Sequence, residues 1–107
     1  MRAEQLKGHL DGLLLAVLET NTLHGYAIIE TLRAQSGGTF DLPSGTVYPA
    51  LRRLELAGLV EGTWSEVAGR GRRSYRLTDR GREALAEERA TWRGFARAVG
   101  TVLGAAT

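Results

Sequence analysis

The sequence predicts a mainly α-helical fold with one small β-hairpin. Three observations predict it. Apolar residues recur at helical spacing in four segments, separated by short glycine-containing or polar turns. One stretch, residues 60–78, alternates instead, and a Gly- and Arg-rich link divides it. The chain has 107 residues, 43% of them hydrophobic and 24% charged, which suits one ordinary globular domain that leaves much surface for a partner.

The first helix is expected roughly from His9 to Thr20. Leu10, Leu13, Leu14, Val17 and Leu18 fall on one buried face, and Asn21-Thr22 reads as a turn. The second runs roughly from His24 to Gln35, with Ile28, Ile29 and Leu32 inward, and Ser36-Gly37-Gly38 ends it. Phe40 and Leu42 alternate around Asp41, which allows a very short strand. The third helix is expected from Ser44 to Ala57. Val47, Leu51 and Leu54 make its narrow apolar stripe, Tyr48 lies at the edge, and Gly45, Pro49, Arg52 and Arg53 point away. Gly58 closes it and Leu59 returns to the core.

Val60–Glu66 and Arg73–Thr78 read as two strands of a hairpin. The link Val67-Ala68-Gly69-Arg70-Gly71-Arg72 reads as a mobile basic loop. The last helix starts at Thr78 or Asp79, both good N-caps, and runs to about Leu103. Leu85, Trp92 and Val99 repeat every seven residues, as do Phe95 and Val102. They form an a/d-type seam suited to dimerisation, broken at Glu88.

Composition excludes several classes of function. There is no cysteine, hence no disulfide, thiolate metal site or thiol redox sensor. No apolar run approaches the length of a membrane span, and Met1–Gly8 is polar without the apolar core of a signal peptide, so a cytoplasmic protein without membrane contact is expected. His9 and His24 lack the companions a metal site needs. No phosphate loop or catalytic constellation is present, so neither an enzyme nor a cofactor is expected. The 14 Lys and Arg against 12 Asp and Glu leave a net charge of only +2, but 13 of the 14 bases are Arg, whose planar fork suits phosphates and guanine edges.

The order helix, helix, turn, helix, basic hairpin is that of a winged helix-turn-helix. A third helix buried on one side can lay its other side in a major groove. Here that side offers Thr46, Tyr48, Arg52 and Arg53, with Ser44 near the helix start, where backbone N–H groups favour phosphate. Four of the seven residues from Arg70 to Arg76 are Arg, and Arg70, Arg72 and Arg73 are the wing's candidates for contact with the DNA backbone or minor groove. Tyr48 could equally pack at the helix edge, and Trp92 could serve purely as interface core.

Pro43-Ser44-Gly45-Thr46-Val47-Tyr48-Pro49-Ala50-Leu51-Arg52-Arg53-Leu54-Glu55 resembles the signature of the PadR family of bacterial transcriptional regulators. His24-Gly25-Tyr26 and Tyr75-Arg76-Leu77-Thr78-Asp79-Arg80-Gly81 resemble it too. The similarity spans roughly residues 8–85, and the short last helix resembles the subfamily with a single dimerisation helix. The resemblance implies a homodimer that binds an inverted repeat in double-stranded DNA and represses until a small molecule releases it. It further implies an aromatic or hydrophobic effector held between subunits, with Trp92 stacking on it and Phe95 and Ala96 shaping the space. The family usually has Ser-Pro before Gly-Thr. Here the order is Pro43-Ser44, which leaves open whether Ser44 caps the helix or the helix begins one residue later.

Residues 1–78 are thus expected to form the DNA-binding head and residues 79–107 the dimerisation helix, one compact domain overall. Leu85, Trp92, Phe95, Ala96, Val99 and Val102 are its expected effector and dimer surface. The competing expectation is a winged-helix module for protein–protein contact without DNA; the Arg-rich hairpin argues against it.

Overall fold

The computed structural model describes residue 6 and residues 8–104, so the polar start of the chain and the end of the expected dimerisation segment lie largely outside the described residues. The elements are α1 (Leu10–Val17), β1 (Leu23–His24), α2 (Gly25–Gln35), α3 (Ser44–Leu56), β2 (Val60–Val67), β3 (Arg70–Leu77) and α4 (Asp79–Leu103). The three strands form one antiparallel sheet in the order β1-β3-β2. This is the winged helix the sequence predicts.

One core holds it together. Leu14, Leu15, Leu18, Ile28, Val47, Leu51, Leu54 and Val60 are its most deeply buried side chains. Leu15 joins the stripe expected on α1, because α1 is covered by α2, α3 and α4. The helix is shorter than expected: Leu18 N–H reaches Leu15 O at 3.2 Å and Glu19 N–H reaches Ala16 O at 3.2 Å, a tightened last turn that ends it.

The expected strand around Phe40 and Leu42 does not form. Leu42 is buried and Phe40 half-buried against the core, so their alternation reflects burial rather than pairing. The third strand is instead β1, where Leu23 pairs Tyr75 and His24 pairs Ser74. Two residues are too few to carry a periodic signal.

α3 begins at Ser44, with Pro43 as N-cap. The Pro43 carbonyl accepts from Thr46 N–H at 3.0 Å and Val47 N–H at 3.2 Å. Ser44 is therefore the first helical residue rather than the cap, and the helix does not start later. Pro49 removes the hydrogen bond that would go to the Gly45 carbonyl; both residues are exposed, so water can serve that oxygen. The helix ends in a Schellman motif. Gly58 takes φ +78°, its N–H reaches Glu55 O, and Leu59 N–H reaches Leu54 O, each at 3.0 Å.

The hairpin corrects the sequence reading. β2 and β3 pair continuously from Val60↔Leu77 to Val67↔Arg70, leaving only Ala68 and Gly69 in the turn. Both have positive φ, 53° and 77°, the primed turn whose twist matches a hairpin. The expected six-residue loop is thus strand almost to its tip. Strand alternation then places Arg70, Arg72 and Arg76 on one face and Arg73 with Tyr75 and Leu77 on the other.

α4 is docked at its start. Thr78 accepts from Gly81 N–H at 3.0 Å, donates its hydroxyl to Gly58 O at 2.7 Å, and gives its own N–H to Leu59 O at 3.2 Å. Gly81 lies so close that a Cβ there would collide with the Leu59 carbonyl oxygen. Gly81 and Leu85 are buried; beyond them α4 runs out of the body, and Val102 and Leu103 are 85% and 76% exposed. The expected substitution effect follows from the collision with backbone. Gly81→Ala should cost about 1–3 kcal/mol, the range of overpacked cores, and lower the melting temperature by roughly 4–8 °C per kcal/mol. A thermal melt matching the wild type would show that the α3–α4 junction can relax.

Candidate nucleic-acid interface

The exposed side of α3 and the protruding hairpin hold the residues expected to meet DNA. On α3, Ser44 is exposed at the first turn and Thr46 is half-buried. Tyr48 is 46% exposed, and its ring lies across the start of α2: a Cβ on Gly25 would sit 2.5 Å from Tyr48 Cε1. Gly25 in the His24-Gly25-Tyr26 motif therefore makes room for this ring. The packing and contact roles of Tyr48 coexist, one edge on Gly25 and the remainder open to solvent.

Arg52 and Arg53 diverge. Arg53 is ion-paired with Asp11 at the start of α1. Arg52 is 67% exposed and lies 3.9 Å from Glu55 Oε1. Arg73 faces inward and pairs with Glu55 as well, which holds its guanidinium above the usual arginine range. Of the three wing arginines expected on DNA, only Arg70 and Arg72 have no ion-pair partner among the described residues, and both are exposed. Arg72 is close enough to β1 to act on His24, whose pKa is lowered by burial first and by the Arg72 charge second.

The sequence reading missed several residues here. Trp64 is 66% exposed on β2, and its ring lies over Gly71, where a Cβ would come within 2.7 Å of Cζ3. Tyr26 is 62% exposed at the first turn of α2. Glu55 joins α3 to the wing. Its spacing from Arg52, three residues along one helix, was the available signal.

A second feature lies between α1 and α4: an apolar cavity of about 620 Å³ open to solvent. Leu13, Ala16, Phe40, Leu85, Trp92 and Phe95 supply most of its walls. Trp92 and Phe95 are 5.8 Å apart between ring centroids, and His9 meets Trp92 edge-on at 5.4 Å. Leu85, Trp92 and Phe95 of the expected effector surface thus come together. Ala96, Val99 and Val102 lie further along α4, outside the cavity lining. Leu85 is 3% exposed and belongs to the protomer's own core, so the seam left for a partner begins near Trp92. Glu88 breaks the seam because it packs back on α1, where a Cβ on Gly12 would lie 3.2 Å from Glu88 Oε2. The next turn is fastened by Arg89, which holds both Glu19 carboxylate oxygens at 2.7 and 2.8 Å and keeps the Glu19 pKa below its ordinary value. No helix among the described residues is long and apolar enough to cross a membrane.

Comparison with known proteins agrees with this architecture. Residues 14–87 match the model of the transcriptional regulator PadR-like family. The chain is 39% identical over 79 residues to the transcriptional regulator Rv3488 of Mycobacterium tuberculosis, covering 74% of this chain and 71% of that protein. It is similar to the crystal structure of a PadR family transcriptional regulator from Eggerthella lenta, with 33% identity, a TM-score of 0.82 and coverage of 96% of this chain and 88% of the other. A PadR family transcription regulator from Clostridium difficile superposes with a TM-score of 0.77 at 30% identity, over 90% of this chain and 99% of its own. A family match over more than half the chain, on a winged helix with these motifs in place, means that the protein belongs to the PadR-like family of transcriptional regulators and is not an enzyme.

Proposed function

We propose that the protein is a homodimeric repressor that binds an inverted repeat in double-stranded DNA and is released by an aromatic or hydrophobic small molecule. The observation that carries this reading is an α3 surface on which Tyr48 and Arg52 are open to solvent, together with a hairpin whose Arg70 and Arg72 are exposed. In this reading residues 1–78 are the reading head and residues 79–107 join two heads. Each α3 enters a major groove, with the two half-sites about 34–36 Å apart. Thr46 and Ser44, at the start of α3, favour phosphate. Arg70 and Arg72 meet the backbone beside the site, while Arg53 and Arg73 spend their charge on Asp11 and Glu55.

Dimerisation is supported by the apolar side chains that α4 leaves uncovered. Trp92 and Phe95 are 52% and 54% exposed, and Val102 and Leu103 more so. An apolar stripe of this kind marks an interaction surface. The cavity beside Trp92 and Phe95 supports the effector reading: it is apolar, walled by aromatics, and lies between the helix that joins two heads and the helix α1 that packs on α3. A ligand that fits one separation of the heads better than another would shift the population toward that form and change DNA affinity.

The test of the function is a titration against DNA from immediately upstream of the protein's own gene, with a scrambled duplex as competitor at physiological salt. Protection of a two-fold-symmetric site is the expected result; absence of binding to any duplex would favour the protein-interaction module. Replacing Arg70 and Arg72 with Ala should weaken binding to both duplexes. It should also flatten the dependence of log K on log salt by about 0.9 for each phosphate contact removed. An unchanged slope would take the wing off the phosphates. For the dimer, the double variant Trp92→Ala, Phe95→Ala should elute as a monomer from a sizing column, and a persistent dimer would place the interface elsewhere.

A further inference from the structure

Glu55 is the junction of three charged side chains at the C-terminal end of α3. One carboxylate oxygen, Oε2, accepts from Arg73 Nη2 of β3. The other, Oε1, is buried and has no hydrogen-bond donor. Arg52 Nη1 stands 3.9 Å from it, too far for a hydrogen bond. The Glu55 side chain is 18% exposed, that of Arg73 30% and that of Arg52 67%. The guanidinium crosses the sheet over Gly62, where a Cβ would sit 2.6 Å from Arg73 Nε, so any side chain there would push the guanidinium off this path.

A buried carboxylate oxygen without a donor is unfavourable, and such a group calls for an explanation. Among the described residues its other cationic neighbour is Arg52, a long side chain on the exposed side of the same helix. An arginine that reads a guanine must hold its fork in the plane of the base. A carboxylate three residues on, with a free oxygen aimed at it, can fix that plane while the outer N–H groups stay available. The same carboxylate is already committed to the wing through its other oxygen.

We propose that Glu55 is a specificity-determining positioning residue: one oxygen locks the wing to α3 through Arg73, and the other aims the Arg52 guanidinium at the base edges of the major groove. Arg73 is then a strut rather than a phosphate contact, since reaching the backbone would strip Glu55 of its donor. The inference rests on the DNA-binding reading above and names which side chains give it sequence discrimination.

The test uses the full-length protein and the duplex that the wild type selects from a random library, beside a scrambled duplex, over a series of salt concentrations. Glu55→Gln keeps the shape and removes the charge. It should lower the ratio of selected to scrambled affinity about tenfold, within the discrimination expected of one bidentate arginine. Binding to the scrambled duplex should stay equal or tighten, because a negative charge near the phosphates is gone, and the salt slope should not change. Arg52→Ala should lose a similar ratio, and the double variant should lose no more than Arg52→Ala alone. A retained ratio in Glu55→Gln overturns the proposal, and so does equal weakening on both duplexes with a lowered melting temperature, the mark of a merely structural role. Should Glu55→Gln fail to fold, wild-type guanidinium resonances decide. The Arg52 Nε–H signal should move with the selected duplex and not with the scrambled one, while Arg73 Nε–H stays protected with both; an identical Arg52 response overturns the proposal. A wild type that discriminates while Glu55→Gln is unaltered sinks this inference alone. A wild type that selects no sequence sinks the DNA-binding reading and this inference together.

Discussion

Thr78, Gly81 and the turn at Gly58–Leu59 meet in one half-buried knot of backbone hydrogen bonds. Three parts of the molecule meet there: the end of α3, the base of the hairpin and the start of α4. Thr78 uses its N–H and both functions of its hydroxyl in this knot, and Gly81 brings α4 against the Leu59 carbonyl. Side chains in a core can exchange rotamers, whereas backbone groups held by short bonds cannot shift without losing partners. The angle between the helix that faces solvent with Arg52 and the helix that carries Trp92 is therefore set at this point. Everything further out, from the wing tip to the exposed end of α4, inherits its direction from it.

Placement of charge does what net charge does not. A balance of +2 is a weak basis for attraction to a polyanion. The fold compensates by sorting its arginines. Arg53, Arg73, Arg76 and Arg89 are paired with Asp11, Glu55, Glu61 and Glu19. Apart from the part-buried Arg73–Glu55 pair these are exposed and contribute about 0–1 kcal/mol each to stability, so their larger effect is directional: they fasten elements and withdraw charge from some faces. Among the described residues Arg70 and Arg72 have no ion-pair partner on a strand that projects from the body, and His24 has its pKa lowered by burial first and by the Arg72 charge second.

α1 is only eight residues long, yet it touches both functional regions. Asp11 is tied to Arg53 on α3, Gly12 receives Glu88, and Leu13 and Ala16 wall the apolar cavity. Just past its end, Glu19 holds Arg89, and its carbonyl accepts from Arg82 at 3.2 Å. This one short helix therefore borders the cavity and is packed against α3.

Much of this was readable from the chain alone. Apolar spacing located four helices and most of the core, since burying one face of a helix leaves a period that any single sequence displays. Gly58 and Thr78 marked helix ends through their own conformational and hydrogen-bonding chemistry. The order of elements and three short motifs indicated the family. What the chain alone did not decide has a common cause: it depends on pairing between distant residues. Ala68-Gly69 forms a tight turn because Val67 and Arg70 pair, and that register turns Arg73 inward while Arg70 and Arg72 face out. β1 exists only because β3 offers it an edge. Leu85 belongs to the heptad in sequence and Glu88 interrupts it, but α1 is packed against that stretch of α4, so the first joins the core and the second meets Gly12. Sequence determined which residues are apolar, basic or small; tertiary structure decided which arginines remain free, because an ion pair is a contact between neighbours in space and leaves no period along the chain.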